Sequence, residues 1–237
     1  MSGWAKKRFW KEATAQEQNG GFAVLLDGRS VRTPGKAALI VPSLTMAQAI
    51  TEEWDAQEGE LDPATMPVTR SANAAIDKVA VQHAEVAAMI AAYAETDLLC
   101  HRADTPAELV ARQEAGWAPL LQWAAEKYDA PLSVTTGILP VDQPAKSLAR
   151  FRAEVDRFDA FGLTALHDLV SLSGSLVIGL AAANGTQGDI KALWDISRID
   201  ELWQIEKWGE DDEATALSDS KFRDFQHALR FFRLISQ

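Results

Sequence analysis

The segment Phe22-Ala23-Val24-Leu25-Leu26-Asp27-Gly28 is the clearest structural signal in the first part of the chain. Its apolar run is typical of a strand, and the Asp27-Gly28 pair that follows is a strong signal for a tight hairpin turn. Residues 29–33 fit the returning strand, because Pro34-Gly35 provides the next turn. Residues 37–41 fit a third strand. The pattern therefore predicts a β-meander.

The segments on either side of the predicted meander extend this first region. Upstream, residues 8–11 provide either one more strand or an aromatic packing contact. Downstream, Ser43 occupies the N-cap position of a helix whose apolar residues recur every three or four positions. A loop follows this helix. We therefore expect an α+β fold, with a small N-terminal α+β domain at residues 1–66 and a larger helical domain at residues 67–237.

The second region has the patterns of a series of helices. Residues 72–93 carry one continuous apolar stripe. Thr105 is predicted to begin a capping box, and Pro119 is expected to kink or split the helix that follows. Residues 163–183 are apolar nearly all round, which indicates one central buried helix that stops at Asn184-Gly185. Two more helices are expected at residues 190–208 and 220–235.

Composition and charge exclude several classes of protein. The 237 residues carry a net charge of −11, whereas a nucleic-acid-binding surface is basic. No stretch has the length and hydropathy of a membrane span. The single cysteine, Cys100, excludes an internal disulfide and fits a reducing compartment. The basic first residues lack the apolar run of a secretory signal and leave no room for a transit peptide, so we expect a bacterial cytoplasmic protein.

The acidic balance has two interpretations. It either steers encounters with a basic patch on another protein, or only keeps the chain in solution. In both cases an acidic surface repels nucleic acid and anionic lipid. We therefore expect no nucleic-acid partner and no membrane partner.

Catalytic and cofactor motifs do not appear in the sequence. The histidines are scattered without a metal-type partner at helical spacing, and no nucleophile elbow or phosphate-binding glycine loop occurs. Adjacent helical residues point in different directions, so His167 and Asp168 are not expected to form a relay. We therefore predict no catalytic residue, no metal and no cofactor.

Carboxylates beside tryptophans are the main candidates for recognition. The run Glu210-Asp211-Asp212-Glu213 closely follows Trp208. It is either a solvated face or, together with Trp203, part of a protein interface. Asp97 is predicted near the C-terminal end of a helix, where an acid opposes the helix dipole. Either a specific partner balances Asp97, or it is a plain surface carboxylate.

Short motifs in a consistent order along almost the whole chain resemble one family. They include Arg8-Phe9-Trp10-Lys11, Leu26-Asp27-Gly28-Arg29, Arg32-Thr33-Pro34, Glu53-Trp54-Asp55-Ala56-Gln57, Met66-Pro67, Thr96-Asp97-Leu98-Leu99, Trp117-Ala118-Pro119-Leu120-Leu121 and Gln204-Ile205-Glu206-Lys207-Trp208-Gly209-Glu210. Together these pieces resemble the alpha-subunit chaperones of ATP synthase assembly. The resemblance implies an α+β N-terminal domain followed by a helical domain, in agreement with the patterns above.

The resemblance also implies a function. Such a chaperone binds the free alpha subunit of the catalytic head of ATP synthase and prevents its aggregation until the beta subunit associates. It is not an enzyme and needs no cofactor, and its eukaryotic relatives reside in the mitochondrial matrix. We expect a monomer whose contact residues are Asp97, Glu206, Trp208 and Glu210, because these combine motif membership with chemistry unsuited to core packing. The stretch after Glu210 varies in such proteins, which makes residues 211–213 less secure as contacts.

Two other functions stay open at this point. A carboxylate- or metal-dependent enzyme would use Asp97, His101 and Glu206, and would hold a stoichiometric ion or a deep pocket lined by these groups. A general scaffold would bind a subunit of some other oligomer. Co-purification from the native host separates the scaffold from the ATP synthase chaperone.

Overall fold

Four strands near the start of the chain form one antiparallel sheet in the computed structural model, which describes residues 7–137, 141–185 and 188–236. The strands are β1 (Ala13–Gln18), β2 (Gly21–Leu26), β3 (Arg29–Ser30) and β4 (Ile40–Val41). Strand β2 is central: β1 pairs along one edge, and the short strands β3 and β4 pair along the other. The three predicted strands form, but the second and third are shorter than expected, and the third, β4, pairs with β2 instead of β3.

Strand β1 was not predicted, because its sequence is polar. It is an edge strand, in which only Ala13 and Ala15 are partly buried against the core. Its hairpin turn consists of Asn19 and Gly20, with φ angles of 54° and 78°. The positive φ at both positions is the geometry of the tight turn that favours an Asn-Gly pair. That pair was the signal in the sequence for the missing strand.

Residues 8–11 form the aromatic packing contact and not a strand. Trp10 is buried, and its ring meets the ring of Trp54 edge-on at 5.1 Å. The next residues are held by Asp27, whose carboxylate accepts hydrogen bonds from the amides of Lys11 and Glu12. These two bonds lower the pKa of Asp27. The turn residue of the meander thus also fixes the start of the described chain.

Helix α1 (Leu44–Asp55) covers the sheet and completes this part of the core. Its predicted N-cap is confirmed, since the hydroxyl of Ser43 accepts a hydrogen bond from the amide of Met46 at 3.0 Å. The same hydroxyl donates to the backbone carbonyl of Leu234. Met46 and Ile50 are fully buried against Val24 in the same cluster.

Helices make up most of the remaining described residues. They are α2 (Pro67–Ala74), α3 (His83–Ala92), α4 (Ala107–Tyr128), α5 (Ala145–Val155), α6 (Ala160–Ser173), α7 (Leu176–Asn184), α8 (Ile190–Ser197), α9 (Ile199–Trp208) and α10 (Asp212–Leu234). Two short strands, β5 (His101–Arg102) and β6 (Thr135–Thr136), pair in parallel. Together with the N-terminal sheet, these helices confirm the predicted α+β class.

Several predicted boundaries were wrong. The stripe over residues 72–93 is not one helix: α2 continues as a π-helix (Ala75–Val79), and α3 then begins at His83. Pro119 lies on an exposed position inside α4 without splitting it. The predicted capping box does not form, because α4 follows Pro106 without a side-chain cap.

The predicted central helix over residues 163–183 is two helices. Gly174 has a φ of 74°, a left-handed conformation that glycine adopts readily, and α6 ends just before it. Ser175 then caps α7 by accepting a hydrogen bond from the amide of Ile178 at 3.0 Å. The stop at Gly185 is confirmed, with this glycine as the left-handed C-cap of α7. Its neighbours bury Leu176–Ala182 completely or nearly so, as the apolar pattern predicts.

The described residues divide into two compact units. The first consists of the residues up to His83, together with Asp159–Ala165 and the residues from Arg230 onward. The second consists of Ala84–Phe158 and Leu166–Leu229. The domain boundary between residues 66 and 67, which rests on a predicted loop before an all-helical pattern, stays a prediction. Within the described residues, no helix is both long and apolar enough to cross a membrane.

Candidate protein-interaction surface

Helix α9 has no fully buried residue, and its side chains at 201, 202, 204 and 206–208 are exposed. Trp208 is 74% exposed at the end of the helix, and its ring meets the partly buried ring of Trp203 edge-on at 5.8 Å. Glu206 and Glu210 are exposed as well. We call the side chains of Trp203, Glu206, Trp208 and Glu210 the α9 surface. It combines exposed aromatic area with negative charge, the composition expected of a protein contact.

Polar contacts hold α9 against α4. Both guanidinium Nη atoms of Arg112 donate to the carboxylate of Glu206 at 2.7 Å, which lowers the pKa of that carboxyl. Lys207 pairs with Glu108 at 3.1 Å. Ion pairs this exposed stabilise a fold little, because water screens the charges. Two of the predicted contact residues, Glu206 and Trp208, therefore lie on a helix that is held by ion pairs and has no fully buried residue.

The acidic run after α9 has a structural role in part. The carboxylate of Asp211 accepts a hydrogen bond from the amide of Ala214 at 2.8 Å, and so caps α10. Asp212 and Glu213 lie in the first turn of α10, where the helix dipole stabilises negative charge. Glu210 precedes this cap and is exposed. Of the run, Glu210 is the carboxylate that the cap and the first turn leave unexplained.

Asp97 is not at the surface. It has 0% exposure, and its carboxylate accepts hydrogen bonds from the amides of Leu99 at 3.0 Å and Val177 at 3.1 Å. The side chain of Ser175 also donates to it. Burial raises the pKa of Asp97 to about 6, despite the opposing effect of these hydrogen bonds. The interpretation as a plain surface carboxylate is wrong, and a carboxylate enclosed in this way cannot touch a docked partner in this conformation.

The partner expected for Asp97 is the N-terminus of α7, not another molecule. Its carboxylate lies where the first amides of that helix point, a position that favours negative charge. We therefore leave Asp97 out of the proposed contact surface and assign it the role of joining its own turn to α7.

The groups of the alternative enzyme do not form a metal-type cluster. Within the described residues, no three His, Cys, Asp or Glu side chains are arranged to hold an ion. Asp97 is enclosed by donors, and Glu206 is paired with Arg112. His167 does contact Asp168, with Nδ1 2.9 Å from Oδ1, contrary to the expectation that adjacent helical residues point apart. This contact raises the pKa of His167.

A groove in the first unit escaped the sequence patterns. It has a volume of about 320 Å³, and Phe9, which is 65% exposed, stands at its side. Many of its lining residues fall in the motifs that carry the family resemblance. They are Phe9, Leu26, Arg29, Arg32, Thr33, Pro34 and Trp54. The order of these motifs in the sequence gave no indication that they gather around one concave surface.

Comparison with known proteins settles the family. The sequence model of the family described as ATP12 chaperone protein matches residues 7–125. The chain belongs to the ATP12 chaperone family. This confirms the resemblance to the chaperones of ATP synthase assembly.

Solved structures of ATP12-family proteins have the same fold over nearly the whole chain. Atp12 from Paracoccus denitrificans superposes with a TM-score of 0.94 at 49% identity, covering 97% of this chain and 98% of its own. A putative chaperone from Agrobacterium tumefaciens has a TM-score of 0.92 at 38% identity, covering 97% of this chain and 86% of its own. The mitochondrial protein atp12 of Schizosaccharomyces pombe is 24% identical over 230 residues, which span 92% of this chain and 79% of the yeast protein.

Proposed function

We propose that this ATP12-family chaperone binds the free alpha subunit of the catalytic head of ATP synthase and prevents its aggregation until the beta subunit associates. The observation that carries the proposal beyond the family is the exposure of Trp208 beside Glu206 and Glu210. Tryptophan is among the residues that contribute most of the binding energy in protein interfaces. The α9 surface is therefore the proposed contact.

Charge gives the contact its direction. The chain carries a net charge of −11, and the exposed carboxylates of Glu206 and Glu210 lie within two residues of Trp208 in the sequence. Complementary charge accelerates association and disfavours wrong partners more than it adds affinity. The proposed client surface is apolar with basic residues at its rim.

Binding alone accounts for the proposed action. A free alpha subunit exposes apolar area that the beta subunit covers in the assembled head, and capture lowers the concentration of this sticky form. Beta displaces the chaperone when it forms the larger and better-packed interface. The proposed cycle includes no enzymatic step and no cofactor, and we place it in the bacterial cytoplasm with a monomeric chaperone.

Mixing experiments test this function. The purified chain is combined with isolated alpha subunit, with and without beta, and the complexes are followed by size-exclusion chromatography. We expect a complex with alpha that disappears when beta is added. Failure to form the complex, or a complex that survives excess beta, would overturn the proposal. Isolation of the chain from its native host with a subunit of a different oligomer would favour the general scaffold instead.

A charge reversal locates the contact. Glu210→Lys is expected to weaken capture of alpha while leaving the helical circular dichroism and the melting temperature unchanged, since Glu210 is exposed outside α9 and α10. Glu17→Lys makes the same change of charge at an exposed position of β1 and serves as the control. Equal capture by both variants would remove Glu210 from the contact.

A further inference from the structure

A cavity in the second unit contains polar groups that the fold does not satisfy. Its volume is about 270 Å³, and it lies between β5, the start of α4 and α9. The Nε and Nη1 atoms of Arg102 and the Nε1 atom of Trp203 are buried with no hydrogen-bond partner among the described residues. Both side chains line the cavity. The residues that line this cavity thus include three buried donor atoms without a hydrogen-bond acceptor among the described residues.

Arg102 is an unusual residue to bury. It is only 8% exposed, and its guanidinium lies 5.1 Å from the centre of the Trp117 ring. Burial lowers its pKa, which means that the environment disfavours the charged form. Among the described residues, the carboxylate within ion-pair distance is Glu114, at 3.7 Å from Nη1 and with a side chain 71% exposed. An ion pair of this length, with one partner exposed to solvent, offsets little of the free-energy cost of burying the Arg102 cation.

Two other polar side chains of the lining, Gln113 and Asp200, are bonded to each other, and His101 and Gln204 line the cavity as well. Gln113 accepts a hydrogen bond from the amide of Ala103 at 2.8 Å and donates to the carboxylate of Asp200 at 2.7 Å. Asp200 lies on the cavity lining, but its bond runs to Gln113 and not to Arg102. The cavity lining therefore includes one carboxylate held by Gln113 and one buried cation whose Nε and Nη1 atoms have no hydrogen-bond partner among the described residues.

A ligand that suits this site must accept hydrogen bonds and carry negative charge. A neutral carbonyl would satisfy the donors but would leave the charge of Arg102 uncompensated. A carboxylate does both, and charged hydrogen bonds to arginine are the stronger kind. Because Trp203 belongs both to the cavity and to the α9 surface, a polypeptide docked on that surface is placed to deliver such a group.

We propose that the cavity lined by Arg102 and Trp203 accepts a carboxylate side chain of the client protein. This inference rests on the proposed function, and it adds an acidic anchor to a client surface that is otherwise apolar and basic. The α9 surface would then bind basic residues of the partner, and the cavity would bind a carboxylate on a neighbouring part of the same partner.

Small probes test the cavity without the client. The full chain is labelled with nitrogen-15 and titrated at constant ionic strength with N-acetyl-glutamate α-amide, and separately with N-acetyl-glutamine α-amide. We expect the glutamate probe to shift the NMR signals of Arg102 Nε–H and Trp203 Nε1–H, and the glutamine probe to leave them in place. Equal shifts with both probes, or no shift with either, would overturn the proposal. A response to inorganic phosphate at equal or lower concentration would overturn the assignment to a carboxylate.

Two variants link the cavity to the client. Arg102→Met keeps the apolar part of the side chain. We expect it to weaken the affinity for the glutamate probe and for the alpha subunit at least about tenfold, which is the effect of losing one charged hydrogen bond. Trp203→Phe keeps a ring but removes the donor, so it tests the same cavity if Arg102→Met does not fold. Arg70→Met, at an exposed position of α2, is the control and should match the wild type.

The two proposals fail in different ways. If wild-type protein binds the glutamate probe but does not capture alpha, the proposed client is wrong while the carboxylate site stands. If Arg102→Met loses the probe but captures alpha as well as wild type does, the link between cavity and client is wrong.

Discussion

The carboxylate of Asp97 accepts a hydrogen bond from the amide of Val177, a residue 80 positions later in the chain. Another oxygen of the same carboxylate accepts from Leu99, which caps the turn at Leu98–Cys100. One buried side chain thus joins two distant segments of the second unit. Because burial raises its pKa to about 6, the energy of this connection depends on pH.

Asp97→Asn tests that dependence. The folded pKa of about 6 lies above the ordinary value of 3.8, so the stability due to this group is complete below about pH 4 and is lost as pH rises through 6. The wild-type free energy of unfolding, minus that of Asp97→Asn, should therefore fall between pH 4 and pH 7. The fall is at most about 3 kcal/mol, since one pKa unit corresponds to about 1.4 kcal/mol.

Urea unfolding at several pH values measures this difference. Subtraction of the variant cancels the titration of all groups that the two proteins share. A difference that is constant with pH, or that grows as pH rises, would contradict the assignment of a raised pKa to Asp97.

Trp208→Ala should separate binding from folding. The side chain is 74% exposed and its described ring contact is with Trp203, so little buried area is lost. We expect the free energy of unfolding to change by less than about 1 kcal/mol, while capture of alpha weakens at least about tenfold. Val81→Ala, at an apolar position 78% exposed in the first unit, is the matched control. A large drop in melting temperature for Trp208→Ala would show that the ring supports the fold instead.

Ser43→Ala should destabilise the first unit through two lost hydrogen bonds. The hydroxyl caps α1 and also donates to the carbonyl of Leu234, and the side chain is buried. We expect a loss of about 2 kcal/mol, one part from the cap and one from the buried carbonyl. Asp189→Ala removes only a cap, the exposed one of α8, and should cost about 1 kcal/mol. Equal losses in thermal unfolding would contradict a role for the Leu234 contact.

Gly179→Ala should destabilise the second unit, although alanine favours helices. An added Cβ would lie 2.5 Å from Cγ2 of Val170 and 3.3 Å from its backbone nitrogen. Overpacking of this kind costs about 1–3 kcal/mol, against a gain of about 1 kcal/mol in helix propensity. At Gly116, an added Cβ would lie 2.7 Å from Cδ1 of Ile199, the flexible end of that side chain. Gly116→Ala should therefore lower the free energy of unfolding by less. The double change Gly179→Ala and Val170→Ala should restore part of the loss in denaturant unfolding, and no recovery would contradict the steric explanation.

The N-terminal fold could be predicted to a large extent, because its signals are local. Asp27-Gly28 dictates a turn, and Ser43 dictates a helix start, through their own backbone and side-chain chemistry. Strand β1 could not be found from hydropathy, since an edge strand needs only two partly buried alanines. Gly174 ended a helix in the middle of an apolar run because backbone conformation, not hydropathy, decides such a break.

The candidate site was less predictable, because its parts meet only in three dimensions. Trp208 and Glu210 could be selected from sequence, as an aromatic residue followed by acids is a local pattern. The burial of Asp97 could not, since it depends on α7, whose amide at Val177 is 80 positions away. Arg102 gave no signal either: a single arginine becomes notable only when its donors are found enclosed without acceptors.

Helix α9 contains no fully buried residue, and it is tethered to α4 by Arg112 and Glu108. The exposed Trp208 is thus separate from the side chains of this helix that bond to the interior, such as Asp200 with Gln113. Evolution can retune the outward positions of α9 to follow a changing client without endangering the scaffold beneath. The same separation allows the helix to be redesigned for a new target while the remainder of the chain is left as it is.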